Sequence, residues 1–115
     1  MPLDSYGREI ASEAIQTTFT FMSLHDAAGT ELTGGAPAYA RQDISGAMSS
    51  NNDGTITITG PIVFDIPSGA TVAKFGINTL ASAGQRGGLE DLSASEGPYA
   101  AQGQYQFTSG SISVV

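Results

Sequence analysis

His25 is the only histidine in the chain, so acid–base chemistry would have to start there. An imidazole titrates near neutral pH, and an adjacent carboxylate can orient it as a general base. Asp26 is the next residue. On an extended chain, however, neighbouring side chains point to opposite faces, so the two are not expected to meet. His25 is read as a polar residue at the end of a strand. The chain has no cysteine, which removes disulfides and thiolate chemistry. None of the serines lies in a Gly-x-Ser-x-Gly elbow.

The carboxylates offer little more. Asn51-Asn-Asp-Gly54 resembles the opening of a calcium loop, but the twelfth position counted from Asn51 is Ile62 where a glutamate is required. Those four residues are read as a hairpin turn. Glu90, Asp91 and Glu96 form a loose acidic cluster with no histidine or cysteine near it in sequence. A solvated loop is the first reading there, and a weak calcium site from loop carboxylates is the second. Gly34-Gly35 and Gly87-Gly88 lack the Lys-Ser/Thr ending of a phosphate loop and open no helix, so they are expected to supply backbone with positive φ. A sugar-cleaving cleft needs two placed acids among aromatics, and the chain has no tryptophan. No catalytic, cofactor-binding or metal-ligating residue is therefore assigned.

The elements that would position these residues are mostly strands. One helix is expected over about 3–17, with Asp4 or Ser5 as its cap and Leu3, Tyr6, Ile10, Ala14 and Ile15 as its apolar stripe. Gly7 weakens it. Thr18–Leu24 reads as a strand with apolar groups on both faces, hence a central one. Ala38–Met48 is a further strand candidate, anchored by Tyr39, Ile44 and Met48, with Gly46 as a bulge. Thr55–Thr59 alternates strictly, with Ile56 and Ile58 inward. Gly60-Pro61 is expected to break that strand, because proline cannot donate to a ladder, and a new strand begins at Ile62.

Pro67-Ser-Gly69 is a turn. The stretch that follows, to Leu80, is expected to be the spine of the fold: Val72, Lys74, Gly76 and Asn78 on one side, Ala73, Phe75, Ile77 and Thr79 on the core side. Ala81–Gly88 reads as a loop, and Leu89–Ser95 as either a helical turn or a strand. Gly103–Phe107 and Ser111–Val115 alternate again. The whole is a single β-domain over 1–115, with a β-core over about 18–115. It is expected to be mainly β: an antiparallel β-sandwich or barrel of about seven to eight strands with one short N-terminal α-helix. A shift of 53 positions lays Thr18–Ala28 on Thr71–Ala81 and Gly34-Gly35 on Gly87-Gly88. Two look-alike strands of one domain, or two related halves packed face to face, would both produce this echo.

Composition bounds the partners. The chain of 115 residues has 15 glycines and only 13% charged residues, which favours turns and strands over helices. Its net charge of −7, with only four basic residues, opposes binding to nucleic acid or to an anionic membrane surface. No apolar run approaches a membrane span. Met1-Pro-Leu-Asp-Ser-Tyr6 lacks the basic start and apolar core of a signal peptide, so a cytoplasmic site of synthesis is expected.

Two segments carry a resemblance. Phe21-Met-Ser-Leu-His-Asp-Ala27, followed by Gly34-Gly-Ala-Pro-Ala-Tyr-Ala-Arg41, resembles small structural proteins of tailed bacteriophages that infect actinobacteria. Their pattern is an N-terminal helix, a strand ending in Ser-Leu-His-x-Ala, a Gly-Gly-x-Pro-Ala-Tyr-Ala-Arg loop and a later Pro-x-Gly-x-Thr-Val strand, echoed by Pro67-Ser-Gly-Ala-Thr-Val72. The resemblance runs from Leu3 to about Gly88 and is most specific over Ser23–Arg41. Asn78 stands where the related strand often has an aromatic, and the resemblance does not extend to Leu89–Val115. Such proteins are labelled head-decoration, minor capsid, minor tail or tail-fibre proteins. The resemblance implies a non-enzymatic virion component, held to the major capsid protein or other virion proteins and forming a homo-oligomer such as a trimer. Neighbours in such a particle would hold both termini, Met1 and Val115. A tail protein that attaches to the host surface is the alternative, with Tyr39, Tyr99 and Tyr105 as contact candidates. An enzyme built on His25 is the third.

Overall fold

The computed structural model describes residues 3–51 and 53–113. Met1, Pro2, Asn52, Val114 and Val115 lie outside the described residues. So do the expectation of held termini and the end of the strand read over Ser111–Val115. The elements are α1 (Ser5–Thr18), β1 (Phe21–His25), β2 (Gln42–Asp43), β3 (Met48–Ser50), β4 (Thr55–Ile66), β5 (Val72–Asn78), β6 (Arg86–Glu96) and β7 (Gly103–Ser113). They form two antiparallel sheets, ordered β2-β1-β5-β6 and β3-β4-β7. The sheets stack as a sandwich, the mainly-β architecture expected, with seven strands and one helix among the described residues.

The core lies between the sheets. Met22 and Leu24 of β1 and Phe75 and Ile77 of β5 meet Ile56, Ile58, Phe64 and Ile66 of β4 and Phe107 of β7, all buried. Period-two alternation explains β4, whose even-numbered isoleucines and Phe64 face inward. Both β1 and β5 are central strands, and they pair with each other from Phe21↔Asn78 to His25↔Lys74. The echo at a shift of 53 is therefore two neighbouring strands of one sheet, not two halves face to face.

Four expectations are corrected. First, α1 has the expected cap, with Asp4 Oδ1 accepting from Gly7 N at 3.4 Å. Its apolar stripe nevertheless faces outward: Tyr6 is 73% exposed, Ile10 51% and Leu3 42%, and Ala14 is exposed too. Only Ile15 of that set packs on the core. The helix docks instead through Ser12, which is fully buried and donates to Glu9 O at 2.9 Å with Asn51 O at 3.5 Å, and through Gln16, which donates to Met48 O at 3.1 Å. The Met48 and Asn51 carbonyls belong to the β3–β4 hairpin. Partly covered carbonyls need donors, so the helix turns its polar face to them.

Second, Gly60-Pro61 does not end a strand. β4 runs through it, and the register slips between Thr59↔Ser109 and Ile62↔Phe107, leaving one extra residue on β4. This is a β-bulge, which accommodates a proline without a ladder bond. Third, Gly87-Gly88 lies inside β6, and neither residue has positive φ. Gly87 is bare because the ring of Phe19 lies over it: a Cβ there would stand 2.6 Å from Phe19 Cδ1. Gly34 and Gly35 do have φ of 89° and 97°. Fourth, Ala38–Met48 is no single strand. β2 and β3 flank a turn at 45–47 that contains Gly46, although Ile44 and Met48 are buried as anchors. Leu89–Ser95 resolves as strand. The hairpin read at Asn51–Gly54 is present, with Asn51 N donating to Thr55 O at 2.9 Å and Gly54 at φ 91°.

Candidate functional site

The side chains with chemical potential gather on the outer face of β1 and β5. Met22 and Leu24 face the core, so Phe21, Ser23 and His25 face away from it, opposite Asn78, Gly76 and Lys74. Ser23, His25 and Asn78 are nonetheless buried. Phe19 covers this face over Gly87, and the turn after β1 folds back so that Gly29 O reaches His25.

The three side chains form one directional chain. His25 Nδ1 is 3.1 Å from Gly29 O, which can only accept, so Nδ1 carries the proton. Nε2 is then the acceptor for the Ser23 hydroxyl at 2.7 Å. Ser23 Oγ in turn accepts from Asn78 Nδ2 at 2.8 Å, and Asn78 Nδ2 also reaches Phe21 O at 3.4 Å. Gly76 makes room for this: a Cβ there would stand 2.9 Å from Ser23 Oγ and 3.1 Å from His25 Nε2. A serine 2.7 Å from an imidazole has the spacing of a nucleophile and its base. Here the pair is sealed from solvent, and a carbonyl stands where a triad has its carboxylate. The arrangement binds β1, β5 and the turn at 26–30 to one another.

Asp26 stays apart from His25, as expected. Its Oδ1 accepts from Ala28 N and Thr30 N at 3.0 Å each and shapes the turn. Burial holds His25 below its ordinary pKa, against the weaker opposing effects of Gly29 O and Glu31. A histidine kept neutral by the fold binds more protons when unfolded. Stability is then complete above the unfolded value near 6.5 and falls as the pH drops below it. The urea midpoint should therefore decrease between pH 7 and pH 5.5, and His25→Gln should flatten that decrease. Equal wild-type midpoints at the two pH values would contradict a buried neutral imidazole.

A second cluster hangs on the other side of Leu24. The Tyr39 hydroxyl accepts from Leu24 N at 2.9 Å and donates to Glu31 Oε2 at 2.8 Å. Arg41 grips Glu31 with two bonds, Nε to Oε2 at 2.9 Å and Nη2 to Oε1 at 2.8 Å. Its Nη1 donates to Leu80 O at 3.0 Å and Ala83 O at 2.8 Å, which ties down the loop after β5. The Arg41 bonds hold Glu31 below its usual pKa, and burial pushes the Tyr39 phenol up. Glu31, Tyr39, Arg41 and Ala81–Ala83 line a shallow cleft. Tyr39→Phe should cost about 1–3 kcal/mol, since it strips the partner from a buried backbone N–H. Urea unfolding measures it; an unchanged midpoint would mean that water replaces the hydroxyl.

The remaining candidates are not brought together. Asp91 is bonded to Lys74 on the outer face, Glu90 lies on the inner face opposite Phe75, and Glu96 takes the Tyr99 hydroxyl at 2.8 Å. Among the described residues, no three His, Cys, Asp or Glu side chains gather as a metal site. None of their helices is long and apolar enough to cross a membrane. Asn51–Gly54 serves as a hairpin turn, with Asp53 Oδ1 bonded to Thr55 N at 3.0 Å.

Sequence reasoning missed Ser23 as the partner of His25, although a spacing of two on a strand puts both on one face. It also missed the Glu31–Arg41 pair, for which ten residues of irregular chain give no periodic signal. What fold and site define together is a β-sandwich whose polar side chains join strands and loops. No family model, no curated protein and no solved structure matches this chain.

Proposed function

We propose that this protein is a non-enzymatic structural component of a tailed-phage virion, an accessory (decoration) protein bound to the outer surface of the head. The observation that carries the reading is where the resembling motifs go. Ser23, Leu24 and His25 from one motif and Tyr39 and Arg41 from the other lie around β1, and their polar groups are spent on one another, on Glu31 and Asn78, and on backbone. The residues that give the chain its resemblance thus build a rigid joint, with the only serine–histidine pair inside it. The exterior is acidic, with Asp4, Glu13, Asp43, Asp53, Glu90, Asp91 and Glu96 exposed. Such a surface suits the outside of a head, away from packaged DNA.

In this reading the protein joins the major capsid protein, as a homo-oligomer such as a trimer. It is assembled in the host cytoplasm and strengthens the shell by covering joints, where a standard interface buries roughly 1,600 Å². It needs neither nucleic acid nor membrane. Electron microscopy of heads purified with and without the protein tests it. Extra density at regular capsomer positions is the expected result, and identical head density overturns it.

The second reading is a minor tail or fibre protein that touches the host surface. Tyr99 and Tyr105 favour it, because both lie at one end of the sandwich beside Glu96, where an aromatic and acidic patch could meet a glycan. Tyr39 does not contribute, since its hydroxyl is committed to Leu24 and Glu31. Selective glycan binding that Tyr99→Ala abolishes would move the protein to the tail.

A further inference from the structure

The two sheets are unequal, four strands over three, and the sandwich is open on one side. At the β2–β3 side the edge strands are two and three residues long, and α1 packs against β3. At the other side the edges are β6 and β7, each of 11 residues. Among the described residues they do not pair with each other, and β7 has β4 as its only strand neighbour. Between them runs a cleft of about 330 Å³ that reaches Phe75 and Phe107 in the core. Leu92 and Glu90 of β6 form one wall, and Thr108–Ser111 of β7 the other. Glu90 pairs with the core-facing Phe75 and so lies on the inner face of β6.

We propose that this cleft takes an extended segment of a partner protein, bearing a lysine or arginine among apolar residues, as an eighth strand added to the edge of β7. This inference rests on the fold alone and stands whether or not the virion reading does. Native proteins blunt a long sheet edge with charge, proline, brevity or a cover. β2 and β3 are short, and β6 carries Glu90, Asp91 and Glu96. β7 has no charged residue and no proline along its 11 residues. Among the described residues, Phe107–Ser111 of β7 is the edge left able to pair. An added strand there would also complete a four-over-four sandwich and lay alternate side chains against Leu92, Phe75 and Phe107.

Charge selects the occupant. A second copy pairing β7 to β7 about a two-fold axis brings Glu90 toward its symmetry mate, between chains of net charge −7 each. β7 itself offers no cation to neutralise it. A foreign strand with a lysine or arginine facing Glu90 meets an opposite charge at the mouth of a partly enclosed cleft.

The test uses the full chain and an array of ten-residue peptides with alternating apolar and polar residues. The peptides come in matched pairs, with Lys or with Glu at the central inward position. Binding is expected for the Lys series only, at least about tenfold weaker for Glu90→Lys, and weakened by high salt. Amide shifts in a labelled sample should concentrate on β7. Equal binding of both series, binding unaffected by Glu90→Lys, shifts away from β7, or no binding by any peptide would each overturn the proposal. So would sedimentation showing a dimer of the chain alone that Ser109→Lys dissociates, since a second copy would then hold the edge.

Discussion

Phe75→Ala should lower the unfolding free energy by about 3–5 kcal/mol, the usual cost of removing a buried aromatic ring. Phe75 sits in the middle of β5 and is 2% exposed. Its ring lies 5.1 Å from that of Phe107, tilted by 59°, a favourable edge-to-face contact between the two sheets. Truncation removes this contact and the burial together, and Gly110 on the far side has no side chain to fill the gap. Urea unfolding gives the number directly. A loss below about 0.5 kcal/mol, the range of surface substitutions, would mean that this face of β5 does not carry the core.

Gly60→Ala is the second large effect, expected at about 3 kcal/mol or more. The added Cβ would stand 2.0 Å from Phe107 O and 2.9 Å from Ile62 N. Both are backbone atoms of the paired strands β4 and β7, so neither can rotate aside. Gly60 does not have positive φ, and the cost is steric. Gly34→Ala is the matched control: φ is +89° there, but nothing lies within 4 Å of the new Cβ. It should cost about 1–2 kcal/mol from backbone conformation alone. Comparable midpoints for the two variants would show that the bulge can open without loss.

Much of the fold was legible because strands announce themselves by alternation. Ile56 and Ile58, Phe75 and Ile77, and the Asn51–Gly54 turn all lie where a period of two and turn chemistry put them. The misreadings share a cause. Gly60-Pro61 and Gly87-Gly88 were read by intrinsic preference, whereas partners distant in sequence decided them: Phe107 O at the bulge and the ring of Phe19 over the strand. The stripe on α1 failed likewise. Its spacing is helical, but the docking surface presents carbonyls of Met48 and Asn51, which attract Ser12 and Gln16 rather than isoleucine. Of the buried polar chain, His25 was visible as a residue, and its environment was not. Burial of a β-face depends on what folds over it, and neither Phe19 nor Gly29 carries that information locally.

The order of the strands bears on how the chain reaches this state. Thr55 of β4 finds Ser113 of β7, 58 residues away, and Phe21 of β1 finds Asn78 of β5, 57 residues away. Only the β1–β2, β3–β4 and β5–β6 pairs join neighbours in sequence, and the first of these is two residues long. Loop closure has to precede such pairings, so folding belongs in the millisecond-to-second range of non-local β-proteins. During synthesis β4 has only three-residue β3 beside it until residues 103–113 emerge. For that interval Ile56, Ile58, Ile62, Phe64 and Ile66 form an apolar strand face without its sheet. A nascent chain halted before Gly103 is therefore expected to aggregate, and emergence of β7 is the step that lets this sheet close.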